Sequence, residues 1–381
     1  MNGKKHNKRD FLKLGFLGAC GTCMMARGIP VKAMAPTMEK PGGIRNKHMR
    51  EAMFYSPTAK GMKCKICPNE CRIEAGKYGD CRTRLHKDDK LFTIAYGNPC
   101  AVHVDPIEKK PLYHFLPRSK AFSIATAGCN LACLNCQNWE ISQASPLETR
   151  NHDLLPEAVV SNCLHYDCRS IAYTYSDPVA FYEYTYDTSR IARVEGIKNV
   201  IISAGYIHPE PLHELAKYID AANIDLKSFS NEIYEMLNAG TLQPVLDTLT
   251  YLKNEGIWLE ITNLVVPEWT DDMDMIKKMC GWLAENGFDG YPLHFSRFHP
   301  QHKLAQLPPT PASTLNRARE IAQAEGLKFV YIGNMPGGNQ DTICPECGKT
   351  VLGRRGFSIT NNNLANGNCK SCGANIPGVW D

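Results

Sequence analysis

The chain has 381 residues, 22% of them charged, and a formal net charge of +4. Acidic and basic residues are interspersed, so no basic stripe marks a nucleic-acid surface. No apolar stretch reaches the roughly 20 residues of a membrane span. The length suits about two to three domains. The anomaly is 17 cysteines, eleven of them in three tight groups: Cys64/67/71/81, Cys129/133/136 and Cys344/347/369/372. Such grouping reads as metal sites rather than disulfides. Cys280 shares a helical face with Ile276, Met279 and Leu283 and reads as core, as do Cys100, Cys163 and Cys168, which lack metal spacing.

The first 35 residues read as an export signal: a basic start, an apolar run from Leu14 to Ala26, and a small-x-small site at Ala33-Met34-Ala35. Lys8-Arg9-Asp10-Phe11-Leu12-Lys13 is similar to a twin-arginine signal with lysine in the first place. Leu17-Gly18-Ala19-Cys20 is similar to a lipoprotein box. An uncleaved basic N-terminus is the plain alternative. Residues 36–118 form a cysteine-rich segment, where Cys64-x2-Cys67-x3-Cys71-x9-Cys81 could hold zinc or an iron–sulfur cluster.

Ala121 to Gly128 predicts a short buried strand ending in glycine, followed at once by Cys129-x3-Cys133-x2-Cys136. Three thiolates fall one short of the four that complete a four-iron, four-sulfide (4Fe–4S) cluster. One iron is then left open, and an open position on a metal is where chemistry occurs. The plain alternative is an ordinary iron–sulfur or zinc site with its fourth ligand elsewhere. Further β-rich runs follow at Ile171–Tyr175, Asn199–Gly205, Ala221–Lys227, Trp258–Val266, Tyr291–Phe298 and Lys328–Asn334. Between them a helix is predicted from Pro211, with Leu212, Leu215, Ala216 and Ile219 on one face. A second is capped by Thr270 and stops at Gly287, and a third opens at Thr310-Pro311 and ends at Gly326. Alternating strands and helices predict an α/β fold with a parallel sheet closed fully or partly into a barrel, its reactive groups at the C-terminal strand ends.

The triplet after a first strand resembles the radical S-adenosylmethionine (SAM) superfamily. That resemblance implies a partial (β/α)6 barrel over residues 119–337. It also implies a 4Fe–4S cluster on Cys129, Cys133 and Cys136 whose open iron holds SAM. One-electron reduction then gives a 5′-deoxyadenosyl radical that abstracts hydrogen. The superfamily carries Gly-Gly-Glu after the second strand, where this chain has Ser176-Asp177. Thr-Asn-Gly in related activating enzymes is Ser203-Ala204-Gly205 here, losing a side-chain amide. Asp225-Leu226-Lys227 matches activases of the pyruvate formate-lyase type. The resemblance therefore implies that Asp177, Ser203, Asp225, Lys227 and Thr262 bind the cofactor. Arg297 and His294, in the polar cluster that ends the sixth run, are catalytic candidates facing substrate or cofactor, with an ordinary core histidine the plain alternative for His294. Charged residues ending a buried strand are costly unless paired or functional.

In residues 338–381, Cys344-x2-Cys347 and Cys369-x2-Cys372, each followed by glycine, predict a zinc-ribbon or rubredoxin-like module with zinc or iron. Glu108–Phe115, Cys136–Ser142, His294–Pro300 and Tyr331–Asn334 narrow the resemblance to the AmmeMemoRadiSam-system, pyruvate formate-lyase-activating-enzyme-like branch. It implies a low-potential electron donor and an unidentified protein or small-molecule substrate. Such chemistry favours the cytoplasm, against the export signal. The alternative function is a multicluster electron-transfer or docking protein on the same barrel.

Overall fold

The computed structural model describes residues 29–30 and 46–381; the expected export signal lies outside the described residues. Seven parallel strands pair in strict sequence order: β1 (Lys120–Ala125), β2 (Ser170–Tyr173), β3 (Lys198–Ser203), β4 (Ala221–Asp225), β5 (Trp258–Val265), β6 (Leu293–Arg297) and β7 (Val330–Gly333). Each matches a predicted run to within a few residues. Ala101–Pro106, which the sequence did not announce, adds an antiparallel strand beside β1, and Ile29–Pro30 lies beyond it.

Each step between parallel strands passes through a helix, with Pro156–His165, Tyr182–Val194, Pro209–Ala216, Gln243–Asn254, Met273–Glu285 and Ala312–Ala324 as the main ones. Strand order never reverses, so right-handed crossovers place these helices on one face of the sheet. Side chains alternate between faces along a strand, and two apolar clusters report the two faces. Phe122, Ile124, Ile171, Tyr173, Ile201 and Ile224 pack against the helices through Val159, Leu212 and Leu249. Their neighbours Ala121, Ala172, Val200 and Ala221 face the other way and meet Ile107, Leu112, Phe115 and Leu116. Alanine on that inner face leaves room for a plug, the segment 107–116.

The plug seals the N-terminal end of the sheet. The backbone N–H groups of Tyr113 and His114 donate to the Glu260 carboxylate at 2.9 and 2.7 Å, and Asn223 donates to the Pro111 carbonyl at 2.8 Å. Against the plug sits the C-terminal module, an antiparallel arrangement of Thr342–Ile343, Thr350–Arg355 and Ser358–Asn362 with a short hairpin after it. Its buried Arg354 donates to the Tyr113 carbonyl at 2.7 Å and lies 4.4 Å from that ring's centroid. Upstream, residues 50–93 make two small antiparallel sheets that carry the first cysteine set.

Helix starts differ in detail from expectation. Asp272, not Thr270, caps Met273–Glu285 by accepting from Asp274 and Met275 N–H. Thr270 is spent elsewhere, accepting from Val266 N–H at 2.7 Å and donating to the Leu264 carbonyl at 2.9 Å. Cys163, Cys168 and Cys280 are buried in the core as expected. No described helix is long and apolar enough to cross a membrane.

Candidate metal and cofactor site

The triplet loop leaves the C-terminal end of β1 through Gly128, whose φ is +102°. A Cβ there would stand 2.5 Å from both the Cys81 carbonyl oxygen and the Thr83 methyl, so only glycine lets this close approach occur. The loop is then fixed by backbone bonds. Gly128 N–H donates to the Ile141 carbonyl, Ala132 to Asn238 and Leu134 to Leu237, at 2.9, 3.0 and 2.9 Å. The two acceptors lie in a five-residue π-helical turn, Tyr234–Asn238. Such turns free backbone groups from the regular ladder and recur at functional sites.

Side chains then address the sulfurs. The Ser142 hydroxyl is 3.0 Å from Cys136 Sγ and itself donates to the Asn138 carbonyl. The Asn238 amide is buried with no hydrogen-bond partner among the described residues and lies where it favours the thiolate of Cys133. As free thiols, Cys129 and Cys133 are pushed up by burial, so metal must displace their protons to bind. Among the neighbours, Lys227 acts in the opposite sense on Cys133.

The expected cofactor residues fall into two pairs around this loop. Asp177, at the end of β2, accepts from Ser203 Oγ at 3.0 Å, Ala204 N–H at 2.8 Å and Val179 N–H at 3.0 Å. Burial raises its carboxyl above the ordinary value against those donors, and its charge is felt at Cys129. Asp225 and Lys227, at the end of β4, form an ion pair of 2.8 Å, partly exposed on both sides. Burial disfavours the ammonium, but Asp225 and the Cys133 sulfur outweigh it and hold Lys227 a cation. Arg297, at the end of β6, donates from Nε to the Thr310 carbonyl at 2.8 Å.

Two expected residues are engaged elsewhere. Thr262 pairs in register with Asp225, but its hydroxyl donates to Asn223 at 2.8 Å, on the path to the plug. His294 is buried, 2.7 Å from Glu260 and edge-on to Tyr113. It belongs to the plug's polar network rather than to the strand-end cluster. Asn238, Ser142 and Glu260 were not singled out by sequence. A lone Asn in a short turn and an acid at an alternating strand position carry no local mark.

The other two cysteine sets differ in geometry. Cys344, Cys347, Cys369 and Cys372 have sulfurs all within 4.8 Å of one another, with pairs at 3.6 and 3.8 Å. A tetrahedral ion with metal–sulfur bonds near 2.3 Å requires edges of about 3.8 Å, so this set fits one ion. Each of its two knuckles closes with glycine N–H donating back to the first cysteine's carbonyl, Gly348 at 3.0 Å and Gly373 at 2.8 Å. Cys64, Cys67, Cys71 and Cys81 instead line a partly open pocket together with Arg84 and Asn130.

Residues 123–280 match the model of the radical SAM superfamily. The chain is 45% identical over 332 residues to the uncharacterized protein MJ0808 of Methanocaldococcus jannaschii, covering 86% of this chain and 99% of that one. It is 24% identical over 220 residues to the pyruvate formate-lyase 1-activating enzyme of Escherichia coli K12, covering 54% of this chain and 89% of that one. A solved domain of a pyruvate-formate lyase-activating enzyme from Bacteroides vulgatus aligns with a TM-score of 0.38 at 16% identity, covering 43% of this chain and 98% of that one. The chain belongs to the radical SAM superfamily. Within it, the chain falls in the activating-enzyme-like branch and is an enzyme of that class.

Proposed function

We propose that this protein is a SAM-cleaving enzyme built on a partial (β/α)6 barrel with a seventh strand. Cys129, Cys133 and Cys136 would hold a 4Fe–4S cluster. When bound, the cluster supplies an open iron and one electron, and SAM supplies the 5′-deoxyadenosyl radical that takes hydrogen from a protein or small-molecule substrate. The observation that carries this reading is convergence. The triplet loop meets the Asp177–Ser203 pair, the Asp225–Lys227 pair and the Asn238 amide, all from the same end of the sheet.

The chain's own residues divide the remaining work. The Asn238 amide favours the Cys133 thiolate, and the Ser142 hydroxyl, 3.0 Å from Cys136 Sγ, helps fix that sulfur's position. Lys227 offers a cation for a carboxylate, and Asp225 an anion for an ammonium, two of the charged groups of the SAM methionine moiety. Asp177 holds the ends of β2 and β3 together through Ser203 and Ala204, so it sets the spacing of that wall. Arg297 uses only Nε within the fold and can present its terminal nitrogens to substrate. His294, bonded to Glu260, secures the plug at the opposite end of the sheet. Cys344, Cys347, Cys369 and Cys372 would hold one zinc or iron ion that secures the C-terminal module.

The test is 5′-deoxyadenosine release from SAM by the full chain, reconstituted with iron and sulfide without oxygen and reduced with dithionite. Release that disappears in the C129A/C133A/C136A variant supports the reading. Release that persists there, or is absent from a fully loaded and reduced wild-type protein, overturns it.

A further inference from the structure

Arg84 is almost wholly buried, and it lines the cavity formed by Cys64, Cys67, Cys71 and Cys81. Its Nη1 donates to Glu183 at 2.6 Å, while its Nη2 is buried with no hydrogen-bond partner among the described residues. An unmet guanidinium N–H in a low-dielectric interior is costly. It calls for an electron-rich acceptor in the cavity, and the wall supplies four sulfurs as ligands for one.

Spacing separates the kinds of metal that four thiolates can hold. A single tetrahedral ion draws its sulfurs to about 3.8 Å, as the C-terminal set displays. Among the described residues, no three of Cys64, Cys67, Cys71 and Cys81 bring their sulfurs within 4.8 Å of one another. Nor do Cys129, Cys133 and Cys136. An iron–sulfur cubane gives each thiolate its own iron, so its ligands stand wider apart than those of a lone ion. The first set therefore shares its spread geometry with the triplet and not with the C-terminal knuckles.

We propose that Cys64, Cys67, Cys71 and Cys81 bind a second 4Fe–4S cluster, fully ligated by protein, with Arg84 Nη2–H donating to a cluster sulfur. The two cysteine loops share a wall. The Cys81 carbonyl is the group that excludes a side chain at Gly128, Asn69 donates to the Asn130 carbonyl at 2.7 Å, and Asn130 itself lines the cavity. Cys64 and Cys67 are buried on the inner side, whereas Cys71 and Cys81 are partly exposed. A cluster with no open iron cannot bind substrate as the triplet's can, so this one is suited to holding an electron beside the reactive site.

Iron, acid-labile sulfide and zinc counts on the reconstituted full chain test this. The C129A/C133A/C136A variant is expected to keep about four sulfides per chain, and adding C71S/C81S should remove them. A single iron at the C-terminal knuckles brings no sulfide, so the sulfide count isolates this site. One zinc in place of sulfide at Cys64–Cys81, or loss of all sulfide with the triplet alone, overturns the proposal. If C71S/C81S fails to fold, the unaltered chain still decides, with about eight sulfides expected against about four for a single cluster. These counts do not depend on SAM cleavage, so failure here leaves the proposed function standing, and the reverse holds too.

Discussion

Replacing Glu260 with glutamine should unfasten the plug. Each carboxylate oxygen accepts two bonds: Oε2 from Tyr113 N–H at 2.9 Å and His294 Nε2 at 2.7 Å, Oε1 from His114 N–H at 2.7 Å and Trp258 Nε1 at 3.2 Å. Glutamine turns one oxygen into an –NH₂ group, so two N–H donors face another donor whichever way the amide points. Bonds to a charged acceptor contribute about 1.5–3 kcal/mol each, which gives a loss of about 3–6 kcal/mol for E260Q. That is a large share of a stability of about 5–15 kcal/mol. The effect has a pH signature. Burial works against ionisation, but the hydrogen bond from His294 and the surrounding donors hold the Glu260 carboxyl below its ordinary 4.5. Its contribution is therefore full above about pH 4.5 and is lost as pH falls through the lower folded value. Guanidinium unfolding of wild type and E260Q from pH 7 down to pH 3.5 measures both. A difference below about 1 kcal/mol at pH 7, or one that grows on acidification, refutes the reasoning.

Gly128→Ala meets both a left-handed φ and a 2.5 Å approach to the Cys81 carbonyl; the φ alone costs about 1–3 kcal/mol, and iron and sulfide counts should show the triplet cluster failing to load. Lys227→Met should leave iron content unchanged while weakening SAM binding by about tenfold, the value of one charge-assisted contact, as read by equilibrium binding to the unreduced protein. If Cys344, Cys347, Cys369 and Cys372 hold the proposed ion, chelation should make residues 338–381 the first segment cut in limited proteolysis, because metal binding and folding are coupled in such small modules.

How much was legible depends on whether a feature is local. The strand runs were, because apolar stretches bounded by Gly, Pro and Asp mark buried parallel strands whatever surrounds them. The run read as Ile171–Tyr175 ends at Tyr173 because Tyr175 turns to φ +66°, a conformation that no propensity announces for a tyrosine. Thr270 and Asp272 are both capping residues two positions apart, and only the loop's own bonding to Leu264 and Val266 decided between them. Glu260 sits in Trp-Leu-Glu-Ile-Thr, which alternates like a strand with one wet face. It becomes a buried charge only once segment 107–116 is known to fill that face. The same missing fact left His294 open between a strand-end site residue and a core histidine.

The two ends of the sheet are consequently unequal, and the inequality explains why three short cysteines can be a site at all. Loops that carry ligands are ordinarily drawn from the least stable part of a fold, and ordering them upon binding costs affinity. Here the loop is held from three directions, two of them by segments distant in sequence: Cys81 and Thr83 against Gly128, the π-helical turn under Ala132 and Leu134, and, closer along the chain, Ile141 bonded back to Gly128 N–H. With the opposite end sealed by Glu260, Arg354 and the plug, these contacts rest on a frame that cannot relax toward solvent. The ordering cost is thus met in the fold before any metal arrives, which would leave the binding energy of three thiolates available for holding the proposed cluster with one iron open.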